Sequence, residues 1–282
     1  MRAHRRVVQD GGVRVAAYQA PYRPYPASDG VDLVLAHLVR VQSDGVELLC
    51  CPEALIGELA NETDGDSPAA VALSVSSGQL EAVIAPLFGW GMTIVVGFTE
   101  LGDDGHVYNA AAVISDSTIS GIYRKTYPAS SACVAGTELP LFEHRGIPFG
   151  VLICNDAHYI EPARILAAKG ARFLVVPVHG GHRPAKEDLW RARGTNVLVA
   201  RAVENGIPLV AADVAGWQGE RVCHGTTVII DAQGTVMRAA RPLEEDVIVA
   251  ELALDGLSGG VDGSLFGGSN PAVTEQFRAL WD

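Results

Sequence analysis

No apolar run in this 282-residue chain approaches the roughly 18 residues that a membrane-spanning helix needs, so a membrane-embedded protein is not expected. The opening stretch, MRAHRRVVQDGG, is basic but has none of the apolar core of a secretion signal, and residues 1–12 read as a flexible leader. Positive charge is scarce as well. Lys and Arg number 21 against 33 Asp and Glu, and the net charge of −12 is the opposite of the concentrated basic surface that a nucleic-acid backbone demands. Five cysteines cannot all pair within one chain, and their apolar settings suit reduced thiols in the cytoplasm better than a disulfide framework.

What is present is a folded composition, 48% apolar and 19% charged, long enough for one large α/β domain or two ordinary ones. Residues 13–20 form a β-rich run stopped by PYRPYP. From Asp29, the residues Val31, Val34, Leu35, Leu38 and Val41 recur at spacings of three and four, one face of a helix closed by Asp44 and Gly45. A buried strand at 46–51 runs into Pro52 and Glu53, a helix at 79–91 is disturbed at Pro86, and TIVVGFTEL is a further strand. VYNAAAVIS then turns through DSTISG into SGIYRK, a hairpin that a purely parallel sheet does not need, so a mixed sheet is expected. A βαβ unit follows, with a strand at 147–154, a helix ended by Gly170, and the strand RFLVVPV. After it come a long helix over about 186–204, the strand IPLVAADV, a hairpin turning at DAQG and a last strand at 246–252. Residues 255–282, rich in glycine, read as a tail beyond a single domain at 13–254.

Three reactive side chains stand at strand ends, where loops present groups to substrate. Glu53 directly follows a buried strand; partial desolvation there raises a carboxyl pKa and suits general-base work, although an acid at that point equally suits the start of a helix. Lys125, closing SGIYRK, offers a fixed ammonium to a developing oxyanion, or is a solvated lysine beside Arg124. Cys154, in FGVLICNDAH, lies on a strand-to-helix turn with the geometry of a nucleophile elbow and the Asn155 amide as an oxyanion donor, or is an inert buried thiol.

Together with their surroundings these residues resemble the nitrilase, or carbon-nitrogen hydrolase, superfamily. The stretches that carry the likeness are ELLCCPE, GHVYNAAAVISDSTISGIYRKTYP, GTELPLFEHRGIPFGVLICNDAHYIEPARILAAKGARFLVVP, RARGTNVLVARAVENGIPLVAADVAG and HGTTVIIDAQGTV, within about Arg14 to Leu254. In that family a glutamate, a lysine and a cysteine form the catalytic triad, and the matching positions are Glu53, Lys125 and Cys154. The resemblance implies an αββα four-layer sandwich with mixed sheets, assembling as a homodimer or larger homo-oligomer. It also implies a cysteine-dependent hydrolase of non-peptide C–N bonds that needs no metal or organic cofactor. The expected activity is that of an amidase releasing ammonia from a small carboxamide through a thioester. The alternatives are an N-carbamoyl hydrolase, a nitrilase, or a catalytically silent scaffold of the same fold.

The chain departs from the family pattern in its pocket. Many members carry a second glutamate where PASSACVAGTE offers Ala129 and Ser130, and Glu138 is the nearest carboxylate. The tyrosine that usually follows the nucleophile is Asn155, the arginine that some members use to hold a substrate carboxylate is replaced by His158, and an aromatic position past the next strand is His179. His179 and His182 lack the further Cys or Asp that a metal site requires, so no metal is expected. With a mostly neutral imidazole at 158, a net charge of −12, and Glu58 near the proposed base, neutral or cationic amides are expected to be preferred over amido acids.

Overall fold

Period-two alternation along the strands divides their side chains between an inner core and two outer ones. In the computed structural model, which describes residues 11–22, 27–59 and 68–255, strand β1 (Val13–Pro21) sends Val13, Val15 and Ala17 to the inner core and Ala16, Tyr18 and Ala20 to an outer one. The same division recurs in β2 (Leu48–Cys50), β3 (Thr93–Leu101) and β4 (Val107–Ser115), which is why these segments read as continuously apolar. With β5 (Thr118–Arg124), β10 (Val214–Gln218), β11 (Arg221–Cys223) and β14 (Asp246–Leu252) they form an eight-stranded sheet ordered β11-β10-β1-β2-β3-β4-β5, with β14 also paired to β1. Pairing is parallel from β1 through β3 and antiparallel from β3 through β5, so the sheet is mixed, as the hairpin signals required.

The second sheet has six strands. They are β6 (Leu141–His144), β7 (Ile147–Val151), β8 (Leu174–Pro177), β9 (Leu209–Ala212), β12 (Val228–Ile230) and β13 (Val236–Ala239), in the order β13-β12-β9-β8-β7-β6. Phe149, Val151, Val175, Val210, Ala212 and Ile229 meet the first sheet in the inner core. Helix α1 (Ala27–Ser43) covers the outer face of the first sheet with Val31, Val34, Leu38 and Val41, joined, after the single turn α2 (Pro68–Val71), by Leu80 and Ile84 of α3 (Gln79–Ile84). Helices α4 (Ile160–Lys169) and α5 (Pro184–Asn205) cover the second sheet. The layers are therefore αββα. Among the described residues no helix is long and apolar enough to cross a membrane.

Two elements differ from the sequence reading. The helix expected over 79–91 ends at Ile84, and Pro86 sits in a 3-10 turn, because proline lacks the N–H needed to continue the α ladder. The run IPLVAADV is not one strand: the chain leaves the second sheet after β9 and enters the first at β10, switching at the fully buried Asp213. The Asp213 carboxylate accepts the backbone N–H groups of Val214, Gly180 and Thr226, all within 2.8 Å, and so satisfies donors that the corner would otherwise orphan. The leader and tail lie outside the described residues except at 11–12 and 255.

Candidate active site

Glu53 is placed by a close backbone approach. A Cβ on Gly97 of β3 would lie 2.5 Å from both Glu53 Cα and Ala54 N, so only glycine lets the chain after β2 cross that strand. The segment forms a turn with Ala54 in a left-handed conformation, not the start of a helix, and the Glu53 N–H donates to Val178 O at 3.2 Å. Lys125 immediately follows β5, its N–H donating to Asn109 O at 2.8 Å while its own carbonyl accepts from Gly136 N. Lys125 Nζ meets Glu53 Oε1 at 2.5 Å, with 3% and 2% of the two side chains exposed. A pair so deeply buried persists only with further hydrogen bonds, and Asn109 Nδ2 supplies one to the same oxygen at 2.6 Å.

Cys154 opens the 3-10 turn between β7 and α4 with φ at +45°, a left-handed backbone that aims its side chain out of the strand direction. Burial pushes its thiol well above the usual cysteine range; Glu53 raises it further, while Lys125 and the His179 backbone N–H act in the opposite sense. The thiol is thus protonated at neutral pH beside a carboxylate. For Lys125, burial alone would lower the pKa, but the charge of Glu53 and its hydrogen bond to the ammonium act in the opposite sense and hold the pKa above the usual lysine range.

The turn is clamped by a residue the sequence reading did not single out. Asp156 is fully buried and accepts from Ile153 N at 2.9 Å, Tyr127 N at 2.7 Å, Tyr123 OH at 2.7 Å and Thr126 Oγ1 at 3.1 Å. Asn155 Nδ2 adds a bond to Tyr127 O at 3.0 Å. The segment that carries Lys125 is therefore tied directly to the turn that carries Cys154. Arg201 of α5 secures the far side, donating to Ala157 O at 2.8 Å.

Glu53, Lys125 and Cys154 line one cavity of about 280 Å³, together with Asn155, His158 and His179. Glu138 does not: it is exposed and outside the cavity lining, on an irregular segment whose backbone at Gly136 lies so close to Arg124 O that a Cβ would not fit. Glu58 is half-buried and also absent from that lining. Cys133 also lines the cavity, as a second thiol. Among the described residues no group of three or more His, Cys, Asp or Glu is placed to hold a metal ion.

Four further lining residues were missed. Asn109 was detectable as the one polar position inside the apolar strand VYNAAAVIS. Trp190 of α5 stacks on His182 with centroids 5.1 Å apart and meets His158 edge-on. Thr226 is held by Asp213, its hydroxyl donating at 2.8 Å. Arg221 begins β11 and donates through Nη2 to Gly181 O at 2.6 Å, which puts a fixed cation at a cavity wall where none was expected.

The carbon-nitrogen hydrolase family model matches residues 14–259. This chain belongs to that family. It is 29% identical to the glutamine-dependent NAD(+) synthetase of Thermotoga maritima over 58% of its own length and 29% of the synthetase. It is 30% identical to the N-carbamoylputrescine amidase of Solanum tuberosum, over 58% of this chain and 61% of that one. Each match thus spans less than two thirds of the relative. Among solved structures, a mutant of the Nesterenkonia AN1 amidase from the nitrilase superfamily superposes with a TM-score of 0.75, covering 96% of this chain and 99% of its own at 22% identity. The αββα fold is that of the nitrilase superfamily.

Proposed function

We propose that this member of the carbon-nitrogen hydrolase family is an amidase that uses Cys154 as nucleophile, Glu53 as general base and Lys125 as oxyanion donor. The observation that carries the reading is the buried Lys125–Glu53 pair at 2.5 Å in the same cavity as a thiol on a left-handed turn. A buried ion pair is a costly way to stabilise a fold, whereas a dry site with a fixed charge at the reacting carbonyl is what acyl transfer requires.

In this scheme Glu53 takes the thiol proton as Cys154 Sγ attacks the amide carbon. The oxygen becomes negative, and the Lys125 ammonium and the Asn155 backbone N–H hold it. The C–N bond breaks, the nitrogen leaves as ammonia with the proton from Glu53, and a thioester remains on Cys154. Water, losing a proton to Glu53, attacks the thioester and returns the free thiol and a carboxylic acid. Asn109 orients Glu53 and Asp156 positions the nucleophile turn; neither touches substrate in this scheme.

Support also comes from the Nesterenkonia amidase, one variant of which shows covalent addition of the acetamide moiety of fluoroacetamide at its active-site cysteine. The likeness to N-carbamoylputrescine amidase favours a second reading, hydrolysis of an N-carbamoyl group by the same residues. Ammonia release from a panel of primary amides, ureido compounds and nitriles separates the two. Turnover of amides, lost in Cys154→Ala, supports the proposal. A Cys154→Ala protein as active as wild type, or a folded wild type that turns over no member of the panel, refutes it.

A further inference from the structure

The backbone of one loop touches both the general base and the nucleophile. After β8, Val178 O accepts the Glu53 N–H at 3.2 Å, and the next residue, His179, turns its own N–H to the Cys154 thiol. The His179 side chain lines the cavity beside them. The loop is held along its length: the Gly180 N–H donates to Asp213 Oδ1 at 2.7 Å, Arg221 Nη2 donates to Gly181 O at 2.6 Å, and the backbones of His182 and Val222 exchange two N–H···O bonds of 2.9 Å. Neither glycine leaves room for a side chain, since a Cβ would press on Cys223 Sγ at Gly180 and on the Tyr22 hydroxyl at Gly181.

The imidazole presented by this loop is held by packing. Tyr22 meets it edge-on with ring centroids 5.4 Å apart, while Nδ1 is shut off from solvent and has no hydrogen-bond partner among the described residues. A buried nitrogen in that state costs stability, so packing alone does not account for a histidine here. Among the described residues, the other orphaned side-chain atom of the cavity lining is Asn109 Oδ1, and that amide is committed to Glu53 through Nδ2 at 2.6 Å. Glu53 is the only carboxylate in the described lining, and it already receives both Lys125 and Asn109.

An amide brings a need that this nitrogen meets. As the amide nitrogen takes its proton from Glu53, its N–H groups become stronger donors, and in a buried site each requires an acceptor. A neutral imidazole offers one. We infer that His179 touches the substrate, accepting an N–H of the leaving nitrogen and so turning the nitrogen lone pair toward Glu53. This rests on the amidase reading above. Nothing is transferred to the ring: Glu53 gives the proton, the C–N bond breaks and ammonia departs. An ester has no N–H at that place, and a nitrophenolate leaves without a proton. His179 therefore serves amide cleavage and is idle when the same acyl group arrives as an activated ester.

The test pairs the primary amide turned over fastest with the 4-nitrophenyl ester of the same acid, acetamide and 4-nitrophenyl acetate in the simplest case. Wild type, His179→Phe, His179→Ala and His179→Asn are compared, with Cys154→Ala giving the background rate of the ester. Both substrates place the same acyl group on Cys154, so kcat/KM isolates the step in which the leaving group departs. His179→Phe, and His179→Ala, which adds no bulk, are expected to lower kcat/KM for the amide by about a hundredfold while the ester stays within about threefold of wild type. His179→Asn, which keeps an acceptor near the Nδ1 position, should regain part of the loss. Retained ester hydrolysis shows at the same time that the variants fold. Amide and ester rates that fall together in all three variants, or amide turnover unchanged in both His179→Phe and His179→Ala, overturn the inference and leave the amidase reading intact. A wild type that cleaves the ester through Cys154 but no amide, or cleaves neither, overturns the amidase reading and the inference with it.

Discussion

The two ends of the cavity are built on different principles. At the inner end Glu53 and Lys125 are buried, drawn from strand ends and hydrogen-bonded to each other, and Asp156, buried behind the cavity lining, ties the backbone after Lys125 to the turn that carries Cys154. At the outer end His158, His182 and Trp190 are half-buried, Arg221 is exposed, and they come from the turn after Cys154, the loop after β8, helix α5 and the β10–β11 hairpin. Burying charge demands partners, so the inner end cannot change without cost to the fold. The outer end is packed edge-on and stacked, and its residues can be exchanged with far smaller structural consequences. In the proposed scheme the reacting groups are thereby held by the scaffold, while the outer wall is built on separate elements joined by fewer bonds.

The sharpest way to break this division is to remove the attacking atom. Cys154→Ala should lower turnover by on the order of 10⁴-fold or more and change the melting temperature by only a few degrees, since a single sulfur is lost from a partly buried position at the edge of the inner core. Glu53→Gln and Lys125→Met should each cost about 10²–10³ in kcat, and, unlike Cys154→Ala, each should also lower stability by about 3–5 kcal/mol, because the surviving partner is left buried and unpaired. Denaturant melts of the three variants compare them directly. Because burial raises the Cys154 thiol pKa, alkylation of Glu53→Gln by iodoacetamide should be slow at pH 7 and accelerate as pH rises.

Asp156→Asn sharpens the comparison by disturbing geometry without touching substrate. An amide cannot accept from all of Ile153 N, Tyr127 N, Tyr123 OH and Thr126 Oγ1 as a carboxylate does, so the turn should shift and kcat fall by about tenfold or more. Parallel losses in kcat and kcat/KM, with KM little changed, would mark a positioning role.

The smallest effect concerns histidines outside the chemistry. His144 is buried and, with Arg145 beside it, held below its ordinary pKa, as are His158 and His182. A depressed folded-state pKa means the unfolded chain binds the proton first. Stability is therefore full above the unfolded value of about 6.5 and declines as pH falls through it. The melting temperature should drop by about 2 °C or more between pH 7.5 and 5.5, and His144→Gln should flatten that slope.

The inner end was legible in the sequence because it depends on local grammar. Glu53, Lys125 and Cys154 each follow an apolar strand, and the motifs around them survive in recognisable form. The strands and long helices followed from periodicity for the same reason. What was not legible depends on contacts between distant segments. Nothing local distinguishes Asp213 from a strand residue, yet the chain changes sheets there. Arg221 sits in a short hairpin with no apolar pattern, and its approach to Gly181 is a tertiary event. Glu138 was favoured only for being near in sequence, and it lies exposed, outside the cavity lining.

The central claim is that Cys154 carries the acyl group, and intact-protein mass spectrometry during turnover of a slow amide tests it most directly. After rapid acid quench, the wild-type protein should gain the mass of the acyl moiety on the peptide containing Cys154, and the adduct should decay at the turnover rate. Cys154→Ala should gain nothing. Hydrolysis of the amide with no adduct at Cys154, or an adduct carried by Cys133 in the same cavity, would contradict the account.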